Sequence, residues 1–443
     1  MARPRTGRGQ AAGGPAGLRR REFVAGLGAV AAMGPFVWAR GARAQAPKEV
    51  LIGAAYPLTG PLAVSGKDSV AALHLAADLV NNRHDVDLPL ARGEGLPNLG
   101  GAKVRIVVAN HQSNTAIVLG EVERLITQEK VHALTGAFES SMTAVASQVA
   151  ERFGIPMLTG ESSSPTLTAR GFKWYFRTGP HDVMFTEAMF KFIRDVEKKF
   201  NVKMRTAALL WENTLFGTDS AKVERNLLQQ AGIRIVEDLS YKANATSLTS
   251  EIQRLKAADP DILFPTSYAN DAILMLRTAR ELDYNPKLVL AQDSGHTMAA
   301  FLDTVKAEAD GISSRNVWAD DLVSKFPQVG YLGELYKKHS GGRVLTEIPI
   351  RSMVGALVLA DGINRAGSVE PERIRQALKE TDIPARMVPM PWRGIKFDET
   401  QQNHLVEAII TQIQGGRHWT VWPFELAAKE AIYPIPKWSE RKR

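Results

Sequence analysis

"VHALTGAFESSMTAVASQVAERFGIPMLTGESSSPT", residues 131–166, holds two short apolar runs, each opening into a loop crowded with hydroxyls. The first run, "VHALTGA", reads as a strand. Met142, Val145, Ala146, Val149 and Phe153 then recur at helical spacing along one face, and "GIPMLTG" reads as the next strand. Strand, helix and strand with joins this short predict a βαβ unit, hence a parallel sheet with helices on both faces.

The same alternation extends in both directions. Upstream lie the strand "VLIGAAYP", a Gly-rich loop over 57–66, a helix over 68–82 and the strand "KVRIVVAN". Val118, Val122, Leu125 and Ile126 then mark one face of a helix. A second set begins near 205 with strands "RTAALLW", "IRIVEDL", "DILFPTS" and "KLVLAQD", and helices over 218–230, 247–258 and 270–282. Residues 179–204 and 313–325 fall between or after these sets. "SMVGALVLADGINRAG" and "PERIRQALKE" read as later helices, and "HLVEAIITQIQ" as a late strand. The expected fold class is α/β: two Rossmann-like lobes of parallel sheet flanked by helices.

The first 46 residues carry eight arginines and one acid. Arg19, Arg20 and Arg21 precede Glu22-Phe23-Val24 and an apolar stretch interrupted by Pro35, and Ala44-Gln45-Ala46 is an A-x-A cleavage pattern. This predicts a twin-arginine-type signal peptide over 1–46, cleaved after about Ala46. The net charge of +8 over the whole chain falls to about +1 without that segment, so the basic balance gives no argument for nucleic acid. The chain has no cysteine, which excludes thiol nucleophiles, disulfides and thiolate metal sites.

Ligands of open parallel sheets bind beyond the carboxyl ends of the strands. The loops 137–143 and 160–166 leave such ends, and each runs into a helix start, where unpaired N–H groups and the positive end of the macrodipole hold small anions. Capping accounts for either loop singly. Two hydroxyl-rich mouths on successive strands point further, to a cradle for a carboxylate. Catalytic patterns are missing: no G-x-S-x-G elbow surrounds Ser140 and Ser141, no H-E-x-x-H occurs among nine histidines, and "GPLAVSGKD" has the wrong spacing for a phosphate loop. The expectation is a binder, with no catalytic residue, no metal and no cofactor; a serine hydrolase is disfavoured.

The runs "IGAAYPLTGPLAVSGKDSVAALHLAADLVN" and "LTGAFESSMTAVASQVAERFGIPMLTGESSSPTLTARGFKWYFRT" resemble the periplasmic leucine/isoleucine/valine-binding proteins, solute-binding components of ABC importers. The resemblance continues through "LLWENTLFGTDSAKVERNLLQQAGIRIV" and "DPDILFPTSYANDAILMLRTARELDYNPKLVLAQDS", covering most of 50–315. It implies a type I periplasmic binding fold with three hinge crossings, the third near 392–400. The first lobe would span 48–178 and 318–392, the second 179–317 and 393–427, with a tail over 428–443.

It also implies roles. Ser140, with Ser141 beside it, would take a ligand carboxylate; Ser163, with Ser162 beside it, would meet the ammonium or carboxylate. Phe216 and Tyr268 would close from the second lobe, and Asp293 would pair with the ammonium. Ser65 stands where an aromatic commonly shields the ligand, and Glu161 where a small residue is usual. That carboxylate could point away, accept from the ligand, or repel an acid. The implied partners are a small-molecule ligand, a membrane ABC permease and its ATPase, for a monomer in the periplasm with no nucleic acid bound. A ligand sensor of the same fold, or a binder of urea, short amides or aromatic acids, is the alternative.

Overall fold

The computed structural model describes residues 47–292 and 295–441; the expected signal peptide over 1–46 and Asp293 lie outside the described residues. The chain begins with β1 (Glu49–Tyr56), α1 (Ala63–Asn81), β2 (Lys103–Asn110), α2 (Thr115–Thr127), β3 (Ala133–Gly136), α3 (Ser140–Phe153), β4 (Met157–Thr159), α4 (Thr166–Ala169) and β5 (Tyr175–Arg177). These strands form one parallel sheet in the order β2-β1-β3-β4-β5. Strand order reverses at β1, so crossovers leave in opposite directions from there and a crevice opens at the carboxyl edge.

Alternation along β1 sorts its two faces. Val50, Ile52, Ala54 and Tyr56 are buried in one core together with α1, and Ala55 belongs to the other, with α2 and α3. The α2 face buries Val118, Val122, Leu125 and Ile126, as the spacing predicts. On α3, Met142, Ala146 and Val149 are buried, but Phe153 is exposed and lies under the Arg152 guanidinium at 5.0 Å. Helix α1 starts five residues before the expected 68. Gly66 reads as loop because glycine is a poor helix former, yet it sits in the first turns of the helix, where a Cβ would stand 1.9 Å from the Pro57 carbonyl oxygen. Residues 83–101 fold back beneath this lobe and bury Val86, Leu88, Leu96 and Leu99 in its core.

After β5 the chain passes to a second sheet through α5 (Asp182–Phe200), which occupies the stretch left unassigned by the sequence reading. Then come β6 (Thr206–Glu212), α6 (Leu215–Ala231), β7 (Arg234–Tyr241), α7 (Thr249–Ala258), β8 (Ile262–Thr266), α8 (Ala269–Glu281), β9 (Leu290–Ala291), α9 (Ala299–Val305) and β10 (Ser313–Asn316). The chain returns with α10 (Gln328–Ser340), α11 (Glu347–Ala366) and α12 (Pro371–Lys379); α10 and α11 pack on α1, and α12 on α11. A short antiparallel pair, β11 (Asp382–Pro384) and β12 (Gly394–Lys396), follows. Gln402 and Asn403 still join Arg177 of the first sheet, through a β-bridge and a 2.9 Å hydrogen bond from the Asn403 amide to the Arg177 carbonyl.

The chain ends with β13 (Ile409–Ile413) and β14 (His418–Trp422). The second sheet reads β7-β6-β8, joined through the Leu263–Val289 bridge to β9-β10-β13-β14. It is not wholly parallel: β13 runs antiparallel to both β10 and β14. A hairpin suffices to join β13 and β14, so no helical stretch announces the change of direction. The tail after β14 lies against this lobe. The Ile435 amide donates to the Lys287 carbonyl at 3.0 Å, and the Arg441 guanidinium donates to the Glu308 carbonyl at 2.8 Å.

Leu359 lies wholly buried on α11 within the first-lobe core. Leu359→Ala is expected to cost about 2–5 kcal/mol of unfolding free energy through the cavity it leaves, measured by urea denaturation.

Candidate functional site

Helix α2 is capped in the ordinary way, Asn114 Oδ1 accepting from the Ala116 and Ile117 amides at 2.9 and 3.2 Å. Helix α3 is not. Its cap residue, Glu139, makes no side-chain hydrogen bond to the helix, so the first turn of α3 meets the crevice without a cap of its own. Ser140 stands at this helix mouth, and its Oγ accepts from the Ser164 amide at 3.4 Å, bringing the 137–143 and 160–166 loops side by side. Thr143 and Ser162 join them from behind: their hydroxyls are 2.6 Å apart, and Ser162 Oγ also donates to the Phe138 carbonyl at 2.9 Å. Ser162 is thus committed within the first lobe.

Ser140 and Ser163 line one buried cavity with Phe216 and Tyr268 of the second lobe. The Tyr268 ring lies 5.6 Å from Phe216 and 5.7 Å from Phe138, within the range of tilted aromatic pairs. The cavity measures about 10 Å³, room for roughly one water. A larger hollow of about 600 Å³ lies elsewhere, beside Trp318 and Glu347. It has none of the hydroxyl loops, and the sheet-edge rule favours the small cavity as the site.

Two residues from the sequence reading hold the lobes together. Ser141 Oγ accepts from the Leu215 amide of α6 at 3.3 Å, and Ser65 Oγ lies 3.1 Å from Met298 Sδ. Neither lines the cavity. Glu161 borders it, but its carboxylate turns into the first lobe. Tyr56 Oη donates to it at 2.7 Å, Thr159 Oγ1 at 3.0 Å and the Gly160 amide at 3.2 Å, with Ser352 Oγ a fourth donor. Of the three orientations open to Glu161, the structure has the one pointing away. Burial and this carboxylate push the Tyr56 hydroxyl well above its usual range.

The sequence reading missed a buried ionic group that borders the site. Arg351 on α11 and Arg315 on β10 both line the cavity, and both donate to Glu347 Oε1, at 2.7 and 3.1 Å. Arg351 also donates to the Gly160 and Glu161 carbonyls at 2.8 and 2.6 Å, fixing the path of the second hydroxyl loop. Arg315 stacks on the Phe185 ring at 3.8 Å. The signal available was Glu347 four residues before Arg351 in the otherwise apolar "EIPIRSMVGALVLA". Asp182, at the start of α5, was missed as well. It is wholly buried behind Ser163, whose carbonyl accepts from the Asp182 amide at 2.8 Å. Its carboxylate makes no well-formed hydrogen bond. Burial raises its pKa, opposed by the Arg315 charge and by the nearby Ser163 and Ser220 hydroxyls.

Among the described residues no group of three or more acids or histidines is arranged to hold a metal ion. No described helix is long and apolar enough to cross a membrane.

A first-lobe cradle at a sheet edge, facing aromatics from a second sheet across three crossings, is an architecture shared with known proteins. Residues 49–417 match the periplasmic binding protein family. The chain belongs to that family. Among its relatives, Leu/Ile/Val-binding protein homolog 7 of Brucella abortus is 29% identical over 402 residues, covering 88% of this chain and 96% of the relative. Two solved structures share the fold. The branched-chain amino acid transporter substrate-binding protein LivJ of Streptococcus pneumoniae, in complex with isoleucine, superposes with TM-score 0.69 at 20% identity, covering 87% of this chain and all of that one. A solute-binding protein of an ABC transporter from Rhodopseudomonas palustris, in complex with 3,4-dihydroxybenzoic acid, gives 0.68 at 17% identity, covering 88% and 99%. The periplasmic binding proteins are solute binders and not an enzyme family.

Glu347→Gln leaves Arg315 and Arg351 buried with their shared charge removed. It is expected to lower stability by about 3–5 kcal/mol, read as a lower midpoint in guanidinium titration.

Proposed function

We propose that this chain is the solute-capturing component of an ABC importer. It takes an amino acid of the branched-chain type, or a related small carboxylate or amide, between its lobes and delivers it to a membrane permease and its ATPase. In this reading it is exported by the arginine-rich segment, cleaved after about Ala46, and works as a monomer. The observation that carries the proposal is the uncapped start of α3 with Ser140, set beside Ser163 and beneath Phe216 and Tyr268. Helix amides and two hydroxyls hold a carboxylate without a dedicated cation, and the rings cover an apolar side chain. Asp182, next to Ser163, and Asp293 are the acids available to an ammonium.

The rings of Phe138, Phe216 and Tyr268, contributed by both lobes, also favour a second reading, an aromatic acid. A thermal-shift series separates the two. L-leucine, L-isoleucine or L-valine at about 100 times its Kd raises stability by about 2.7 kcal/mol; a shift with 3,4-dihydroxybenzoate alone selects the aromatic acid. For whichever ligand shifts the melt, Ser140→Ala is expected to weaken binding about ten-fold by calorimetry with the fold intact, since one lost hydrogen bond to a charged group is worth about 1.5 kcal/mol or more. Unchanged affinity removes Ser140 from the site.

A further inference from the structure

Two buried carboxylates stand on opposite lobes beside the Leu215–Ser141 hydrogen bond that joins them. Glu139 stands at the head of α3 on the first lobe, and Glu212 ends β6 on the second. The Leu215–Ser141 hydrogen bond ties the helices that follow them, and Tyr268 packs between Phe138 and Phe216 alongside. Glu212 is wholly buried and Glu139 is 9% exposed.

Their surroundings are unequal. Glu212 accepts from the Thr214 amide at 2.7 Å, Thr214 Oγ1 at 2.6 Å and the Gly217 amide at 3.0 Å, all at the positive end of α6. Glu139 accepts from Ser113 Oγ at 2.9 Å. His111 Nδ1 lies 3.9 Å from it, but that nitrogen accepts from the Ser113 amide and Nε2 faces the Ala137 carbonyl, each at 3.1 Å. This is the neutral ring, and burial pushes His111 down to about 4. The groups facing Glu139 are therefore His111 and Ser113 from the loop after β2, Glu212 from β6 and Tyr268 ahead of α8; Asp271 of α8 adds its charge to Glu212. Among the described residues, no lysine or arginine pairs with either carboxylate.

We propose that closing the two lobes takes up a proton on Glu139, so that acid favours the closed form. In the closed protein, burial first and the Glu212 charge second raise Glu139 to about 7. Parting the lobes returns Glu139 to water and takes Glu212 away, so its pKa falls toward the ordinary carboxylate range. A group whose pKa is raised by closure favours closure below the raised value, and loses that contribution as the pH climbs through about 7. Burial raises Glu212 as well, but three donors oppose that rise, whereas Glu139 accepts from the Ser113 hydroxyl alone, so Glu139 is the carboxylate that takes the proton first. The proposal rests on hinge opening and is independent of the ligand's identity.

The absence of cysteine makes the test clean. Ala116→Cys, exposed in the first turn of α2 on the first lobe, and Lys242→Cys, exposed just after β7 on the second, carry one spin label each. Pulsed electron paramagnetic resonance then reads the interlobe distance at pH 5.5 and pH 8 with no solute added. The expected result is a closed-to-open ratio about ten-fold or more higher at pH 5.5. In the same background E139Q stays at the short distance at both pH values. A distance that ignores pH, or an E139Q variant that titrates like its parent, overturns the proposal. Should E139Q not fold, E212Q carries the test: loss of the facing charge lowers the midpoint, and an unchanged midpoint overturns it.

Discussion

The carboxylate of Glu347, buried between the guanidiniums of Arg315 and Arg351, is the constraint on which the rest of the molecule depends. Arg315 belongs to a strand of the second sheet, whereas Glu347 and Arg351 belong to a helix of the first lobe. Charges this deeply buried are costly to separate, so the group fixes where the returning chain must lie. Through the Gly160 and Glu161 carbonyls, Arg351 also fixes the second hydroxyl loop. The placement of Ser163 thus follows from an ion pair far along the chain, and Ser140 follows Ser163 through the hydrogen bond between the two loops.

The site divides its chemistry between the lobes. The first lobe presents donors: a helix start without a cap, two serine hydroxyls and the Arg351 edge. Among the described residues the acid bordering the cavity is Glu161, and its carboxylate is satisfied by four donors within the first lobe. The second lobe presents rings, with acids set behind them. Under the proposed function, dipoles fixed by the fold would meet a carboxylate with little reorganisation, while the Arg315 and Arg351 charges at the cavity wall are already engaged by Glu347.

Much of this was legible in the sequence. The α2 face and the two hydroxyl loops could be read because helical periodicity and strand-end chemistry are local properties. The resemblance carried over residues that do lie together, Ser140, Ser163, Phe216 and Tyr268. What escaped was decided by distant contacts. Gly66 disguised the first turn of α1 because its reason is the approach of Pro57. Phe153 keeps the helical spacing of its neighbours and still faces solvent, under Arg152. The antiparallel turn at β13 needs no crossover and leaves no helical trace. Arg315 and Asp182 are ordinary in sequence, and only the third dimension makes them neighbours of the crevice.

The tail after β14 has a consequence for how the protein is made. Ile435 joins the core of the second lobe, and Arg441 reaches the Glu308 carbonyl and Asn285. A lobe begun by α5 is finished by residues 435–441, with the returning helices of the first lobe lying between them in sequence. During vectorial synthesis the first sheet emerges whole while the second still lacks its far edge. The second lobe is thus completed only when residues 435–441 are in place, after the helices that return to the first lobe.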